Sequence, residues 1–518
     1  MSQEIEIRLS ARPDDLRRLS QRQFLKRLSQ GNAKTRRYMS VYYDTPEFVL
    51  AGKGLSLRVR RSGRNYVQTV KEKNTGAVVS DRTEWEAPLP TAEPDLRFIP
   101  DPETRERLMA LTADKTFEPK IETEIRRTVR QLKTETGDEV EFASDSGEIR
   151  TLVDGRNVLP ISEVELELKH GSTAALYEIA RELSQKTPLT VALESKAERG
   201  LRALGKTTAG ATKAGRVVLS PGASAEDAFR INLMHCLRHI AQNAPVVSEA
   251  RDVEGLHQLR VGLRRLRAAL EAFGTDFETE TLKELRERAK VLCKAFGETR
   301  DLDVFTLELF PAVEKAAPGH AGLMEFRKHL EATRKESWTR CAVRANSPEF
   351  THFLLDLAAA AEMRIWREDA GPPQIAAFMR PAEELAREAI SKSEQKAHKR
   401  AKALSSLDSE QRHQLRIALK KFRYTLEFFA PLFAAKSVTK YLKKLTAAQD
   451  VFGAMNDAST ASHILSTVLE NASSEHSAAL REGAAFVEGW HLARIEPAWL
   501  EAKAQWKRLE KSKPFWTE

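Results

Sequence analysis

The sequence predicts an α+β chain in two parts, a strand-rich N-terminal half with a few helices and an almost wholly helical C-terminal half. Three observations predict it. Up to about residue 204 the sequence alternates with period two in short runs broken by turn residues. From residue 225 onward Ala, Leu, Glu, Lys and Arg dominate and β-branched runs are few, the composition of helices. Between the two, residues 206–223 are rich in Gly, Ala and Thr and read as a flexible linker. At 518 residues the chain has room for two or three domains.

In chain order, alternation marks strands near residues 4–8, 38–44, 55–60, 66–71, 82–88, 121–132, 139–143 and 163–169. Helical periodicity appears near 14–29, 102–113 and 173–186. No apolar run approaches the ~20 residues of a membrane helix, so no membrane partner is expected. Met1-Ser2-Gln3-Glu4 has neither a basic segment nor an apolar one, so no secretory signal is expected. Cys236, Cys293 and Cys341 are far apart and match no zinc or redox spacing, which argues against a disulfide framework and for a reducing cytoplasm. The net charge of +9, from 83 Lys+Arg against 74 Asp+Glu, does not by itself point to nucleic acid.

The strands share an unusual polarity. Glu4, Glu6 and Arg8 lie on one face, as do Arg58 and Arg60; Arg82, Glu84 and Glu86; Glu122, Glu124 and Arg126; and Glu163, Glu165, Glu167 and Lys169. One reading is a sheet with a solvated face. The other is a closed barrel whose charged faces line a lumen, where metal ions satisfy the carboxylates and a polyanion satisfies the cations.

Glu4-Ile5-Glu6-Ile7-Arg8 resembles the ExExK signature of CYTH domains, the triphosphate tunnel metalloenzymes, with Arg8 where that pattern has Lys. The order that follows is also similar: Arg58 and Arg60, Lys71, Glu84 and Glu86, Arg126, Glu141 with Asp145, the Glu163/Glu165/Glu167 strand, and Lys196 in Glu194-Ser195-Lys196. The resemblance covers residues 1–205 and implies an antiparallel tunnel barrel with flanking helices. It implies that Arg58, Arg60, Lys71, Arg126 and Lys196 grip a triphosphate. Glu4, Glu6 and members of the set Glu163, Glu165 and Glu167 would hold Mg²⁺ or Mn²⁺. Glu4, Glu6 and Arg8 form the catalytic set, Arg8 orienting the attacking water or binding phosphate.

The helical half contains a duplication. Residues 252–273 aligned on 408–429 share 11 identities in 22 positions, an offset of 156 residues. Gly297 and Gly453, and Asp301 and Asp457, keep that offset. At about 100° per residue, His257, Arg260, Arg264 and Arg267 form a stripe opposite Leu259, Leu263, Leu266 and Leu270. The second copy repeats it with His413, Arg416, Lys420 and Arg423, and Arg265 and Lys421 flank the stripes. Like charges at this spacing repel, so their presence in both copies favours a shared polyanion over a merely solvated face.

His-x-x-Arg followed by Arg-Arg-x-Arg, twice in a helical duplication, resembles the CHAD domain, here over residues 224–510. That resemblance implies two pseudo-symmetric four-helix bundles whose basic faces bind inorganic polyphosphate. The contacts would be His257, Arg260, Arg264, Arg265, Arg267, His413, Arg416, Lys420, Lys421 and Arg423. Together the two resemblances point to bacterial CYTH–CHAD inorganic triphosphatases: metal-dependent hydrolysis of inorganic triphosphate, with polyphosphate binding and an association with polyphosphate granules. Two alternatives stay open, an inactive polyphosphate-binding scaffold and a cyclase converting ATP to cyclic AMP. Nucleic acid is disfavoured, because aromatics are scarce and not interleaved with the basic stripes.

Overall fold

The computed structural model describes residues 2–19, 22–72, 78–112, 115–153, 157–206, 210–368, 370–402, 408–454, 456–471 and 478–517. Two compact units emerge, Met1–Gly210 with Asn346–Ala359, and Ala211–Ala345 with Ala360–Glu518.

The first unit is built on nine antiparallel strands: β1 (Ser2–Ala11), β2 (Lys34–Asp44), β3 (Leu55–Ser62), β4 (Asn65–Glu72), β5 (Val79–Leu89), β6 (Glu118–Lys133), β7 (Glu139–Thr151), β8 (Val158–His170) and β9 (Leu189–Val191). They pair in the order β5-β4-β3-β2-β6-β7-β8-β1-β9, and β5 also pairs with β1. Eight strands therefore close on themselves, leaving no free edge between β5 and β1. The closed-barrel reading is the observed one.

Side chains alternate across each strand, so the pairing register decides what faces the lumen. Glu6 stands opposite Glu167 and Arg8 opposite Glu165. Glu163 faces Asp145 and Glu167 faces Glu141; Asp145 faces Arg127. On the other side Lys71 pairs with Glu84 and Thr69 with Glu86, and Arg58 with Thr69. Followed round the ring, these positions share the inner face. The outer face is apolar where helices cover it. Leu55, Leu57, Val70 and Trp85 pack with Leu96 and Leu108 beneath α3 (Val49–Gly52) and α4 (Pro102–Thr112). The third predicted helical stretch is α5 (Ala174–Lys186), which lies against β1 and β8. The first is divided into α1 (Pro13–Leu19) and α2 (Gln23–Leu28).

One end of the barrel interior is apolar. Ile121, Ile125, Ile149 and Ile161 form a cluster with Leu201 and Leu204 at the end of α6 (Lys196–Ala203). Gly200 permits that approach, since a Cβ there would sit 2.6 Å from the Ile121 side chain. Residues 346–359 join this unit: Thr351 Oγ1 donates to the Leu189 carbonyl at 2.6 Å and Asp356 pairs with Arg181 at 3.2 Å.

The second unit is helical: α7 (Ala225–Glu249), α8 (Val253–Ala272), α9 (Glu280–Val304), α10 (Phe310–Ala316), α11 (Ala321–Ala345), α12 (Pro348–Met363, its first part in the other unit), α13 (Pro372–Met379), α14 (Ala382–Ala401), α15 (Ser409–Phe429), α16 (Ala435–Ala454), α17 (Asn456–Asn471), α18 (Ala478–Leu492) and α19 (Ile495–Glu510). The offset of 156 places α7, α8 and α9 on α14, α15 and α16. Each trio packs in the same sequence, and the copies meet through α7 with α14 and α8 with α15. The shared aspartates that open the duplicated segments are helix caps: Asp252 accepts from Gly255 N–H, and Asp408 from Gln411 N–H at 2.8 Å. Gly322 and Gly483 let the backbones of α11 and α18 touch, for a Cβ on Gly322 would lie 2.7 Å from Gly483 N. Among the described residues no helix is long and apolar enough to cross a membrane.

The stretch read as a flexible linker is not loose where it is described. Residues 211–223 belong to the helical unit, with Val217 and Leu219 buried and Thr212 bound reciprocally by the Asn243 amide, both bonds at 2.9 Å. Gly/Ala/Thr composition does not report these few anchoring positions. Thr207, Thr208 and Ala209 lie outside the described residues.

Candidate functional site: a charged tunnel and a basic helical seam

The lumen is a network of buried charges, several of them paired with opposite ones. Lys71 Nζ lies 2.8 Å from Glu4 and 2.9 Å from Glu84. Arg58 donates to Thr69 at 3.0 Å, and Thr69 in turn donates to Glu86 at 3.1 Å. Arg8, only 4% exposed, donates to the Leu193 carbonyl at 3.0 Å and approaches Glu6 at 3.5 Å. The bond to the Leu193 carbonyl fixes the Arg8 side chain in the lumen wall.

Lys196 was expected to grip phosphate. Its ammonium instead sits among three carboxylates, 2.9 Å from Asp145, 2.7 Å from Glu165 and in contact with Glu163. The Ser195–Glu198 capping box starts α6 at this residue, which aims the ammonium inward. Asp145, Glu163 and Glu165 could together hold a metal ion, but here Lys196, Arg127 and Arg199 neutralise them. Burial opposes ionisation of Glu165, yet Arg127 and Lys196 hold its carboxyl well below the ordinary range.

Glu4, Glu6 and Glu167 also have cations beside them, Lys71, Arg8 and Lys169. Glu167 is pushed up by burial and by the like charges of Glu4 and Glu141, although Lys169 acts against this. Crowded carboxylates with hard oxygen donors are the chemistry a divalent cation of the Mg²⁺ or Mn²⁺ type stabilises, and among the described residues the group whose carboxylate oxygens lie within 4.8 Å of one another is Asp145, Glu163 and Glu165. On the opposite side Arg60 stacks over Tyr38 at 5.0 Å and is pushed down to about 10 by the neighbouring Arg58 charge and by burial. Cations crowded in this way favour an anionic ligand.

Arg126 does not belong to this site. It is exposed on the outer face, on the side where Arg150 gathers Glu122 and Glu124. The lumen residue is Arg127, which grips Asp145 with two bonds of 2.7 and 2.6 Å. The reason is local. At the α6 end β6 turns apolar Ile121 and Ile125 inward, so its apolar alternation marks the inside and not the outside. Arg127→Met removes one of the two cations on fully buried Asp145, leaving Lys196 at 2.9 Å, and is expected to cost about 1 to 3 kcal/mol. Arg126→Met is expected to stay within about 0.5 kcal/mol. Chemical denaturation of the two variants checks the assignment.

In the helical unit the two basic stripes meet along the α8–α15 seam. Lys420 is pushed down to about 7 by burial and by the charges of Arg416, Arg264, Arg260 and Arg423, which brings members of both copies together. His257 is pushed down to about 4 by burial and by Arg300, Arg264 and Arg260 against the pull of Glu254, so it is neutral at pH 7. Arg300 was missed as part of this cluster, although Thr299-Arg300-Asp301 stands out in the sequence. Arg260 is held by the Gly297 carbonyl and by Asp301, both at 3.2 Å. The side chains of Gly453 and Asp457, the matching pair in the second copy, lie outside the described residues. Arg267 is half-buried and His413 exposed.

Three of the expected phosphate contacts are engaged in ion pairs, Arg265 and Lys421 between α8 and α15 and Arg423 within α15. Arg265 is 5% exposed, paired with Glu427 and 5.1 Å over the Phe428 ring. Lys421 pairs with Glu271, and Arg423 approaches Glu427 at 3.5 Å while also facing Lys420. The helical wheel placed Arg265 on a flank, and the packing of α15 buries that flank.

Residues 2–201 match the CYTH domain family and residues 232–466 the CHAD domain family. Over 208 residues the chain is 29% identical to the inorganic triphosphatase of Haemophilus influenzae, covering 39% of this chain and 54% of that protein. The matched stretch thus spans about half the length of that relative. The helical region is similar to the crystal structure of the CHAD domain from the plant Ricinus communis, with 28% identity and a TM-score of 0.51 over 59% of this chain and 98% of that one. The charged tunnel and the duplicated basic helices therefore belong to a chain that carries a CYTH domain followed by a CHAD domain.

Proposed function

We propose that the barrel hydrolyses inorganic triphosphate, or a closely related triphosphate, with a divalent cation, and that the helical unit binds inorganic polyphosphate. The single observation that carries the first part is the lumen's two sets of charge, with Glu4, Glu6 and Glu167 on the inner faces of β1 and β8 and Arg58 and Arg60 on the inner face of β3. The similarity to an inorganic triphosphatase supports the same reading. Glu4, Glu6 and Glu167 would hold Mg²⁺ or Mn²⁺, which when bound supplies charge neutralisation on phosphate oxygens. Glu163 and Glu165 are taken up by Lys196 and stand outside that set.

The chain's own residues do the rest. Arg60 and Arg58 bind phosphate oxygens and hold the chain extended along the lumen. Arg8, locked by the Leu193 carbonyl, fixes the position of the phosphoryl group or its water. Lys196 and Arg127 hold Asp145, Glu163 and Glu165 in place, and the apolar plug at α6 keeps water from that end. Phosphate release from inorganic triphosphate, ATP and thiamine triphosphate, each with Mg²⁺ and with Mn²⁺, tests the reading. Absence of turnover on all three would sink it. The pinning of Arg8 favours a second reading, an inactive phosphate sensor, and turnover that appears only in Arg8→Lys would establish it.

Polyphosphate binding carries a pH signature. Lys420 is largely neutral in the free protein above about pH 7, and a polyanion favours its ammonium form. Binding therefore takes up a proton, and affinity is highest below pH 7. It falls as pH rises beyond 7, by up to about tenfold per pH unit. The linkage for folding has the same origin: the unfolded lysine holds its proton up to its ordinary range, so stability rises from pH 7 upward. Titration calorimetry in buffers of different ionisation enthalpy reads the proton directly, and Lys420→Met is expected to abolish the uptake.

A further inference from the structure

Of the four Arg-Arg pairs in the strand-rich half, Arg17-Arg18 lies on α1 and the other three, Arg36-Arg37, Arg60-Arg61 and Arg126-Arg127, lie on strands. These three fall on three adjacent strands, β2, β3 and β6, and on the outer face the partner of Arg61, Met39, stands two residues along β2 from Arg37. Arg36 stands opposite Arg127 and Arg37 opposite Arg126, while Arg60 and Arg61 face Ser40 and Met39. Because neighbours on a strand point to opposite faces, each pair puts one guanidinium inside and one outside. Arg36, Arg60 and Arg127 share the inner face; Arg37, Arg61 and Arg126 share the outer. Like charges directly opposite one another on a sheet are unfavourable, and here the pattern is repeated on both faces.

The pairs on β2 and β3 lie at a rim. β2 begins at Lys34 and β3 ends at Ser62, two residues past Arg60 or about 7 Å at ~3.3 Å per residue. The outer three are exposed, and exposed Met39 lies between them. Among the described residues no carboxylate pairs with Arg37, Arg61 or Arg126. Arg61 is fixed by the Gly63 carbonyl at 3.1 Å, and nearby Glu122, Glu124 and Glu148 are gathered by Arg150.

We propose that this collar is a polyanion path over the rim: a condensed phosphate chain longer than triphosphate lies on Arg37, Arg61 and Arg126 outside while its end occupies the lumen beside Arg36 and Arg60. The path rests on the phosphate reading of the lumen and adds to it a binding surface on the barrel itself, separate from the helical seam. A linear phosphate chain fits better than nucleic acid, because the aromatic facing Arg61, Tyr66, is half-buried and offers no open face for a base.

The test uses the full chain carrying Arg264→Gln and Lys420→Gln, which weakens the helical seam. Binding of an end-labelled medium-chain polyphosphate is measured by fluorescence anisotropy across a salt series, with and without Arg37→Gln and Arg61→Gln. Triphosphate turnover is measured on the same samples. The expected result is at least ~5-fold weaker binding, a log–log salt slope lower by about 1 to 2, and turnover within about twofold. Unchanged binding overturns the path, and so does equal competition by single-stranded DNA of matched charge. Weakened polyphosphate binding in samples that turn over no triphosphate would uphold the path and overturn the triphosphatase reading.

Discussion

Glu4→Gln or Glu6→Gln is expected to lower triphosphate turnover at least ~100-fold while leaving the fold intact. Glutamine keeps the volume and the hydrogen-bonding oxygen but removes the charge that would hold the cation, and with it most of the stabilisation of charge in the transition state. The barrel tolerates the change for reasons visible in the network. Lys71 loses the Glu4 charge but keeps Glu84 at 2.9 Å, and Arg8 keeps its bond to the Leu193 carbonyl. Steady-state phosphate release against a Mn²⁺ series checks it. The midpoint for metal is expected to shift upward, and excess metal to recover only part of the rate. Turnover like that of the wild type in both variants would remove the cation wall from the site.

Charge reversal along the α8–α15 seam has the other large expected effect, and it moves stability and binding in opposite directions. Lys420 sits half-buried among Arg260, Arg264, Arg416 and Arg423. Lys420→Glu places a carboxylate where a phosphate would otherwise bind, relieving repulsion among the four guanidinium groups. The melting temperature is expected to rise, as when a functional site is traded for stability. Combined with Arg264→Glu, the change is expected to weaken polyphosphate binding by more than ~100-fold at low salt and to flatten its salt dependence. The apolar faces that hold the helices, Leu259, Leu263, Leu266, Leu415 and Leu419, are fully buried and untouched. The Arg265–Glu427 tie also remains. Circular dichroism and a salt titration of affinity test both halves of the statement. Full affinity in the double variant would make the stripes no more than a solvated surface, and a lower melting temperature in Lys420→Glu would contradict the crowding argument.

The sequence by itself determined the division into strands and helices, because period two and period 3.6 are properties of neighbouring residues. It also determined most of the lumen. Glu4, Glu6, Arg8, Arg58, Arg60, Glu163, Glu165 and Glu167 alternate with apolar residues, and alternation survives whatever the strands pair with. The duplication, its caps at Asp252 and Asp408, and the basic stripes were likewise legible as local patterns. Closure through β5 and β1 was not, since it depends on residues far apart in the chain. Nor was the inward face of β6, where the α6 plug makes the interior apolar at one end and charged at the other, so that Arg127 and not Arg126 enters the lumen. Which cations are already spoken for was decided only by packing. Lys196 is surrounded by Asp145, Glu163 and Glu165 from two other strands, and Arg265 by Glu427 from the second copy. An ion pair between distant segments leaves no periodic trace in either one, so the partners of Lys196 and Arg265 became legible only once the fold brought them together.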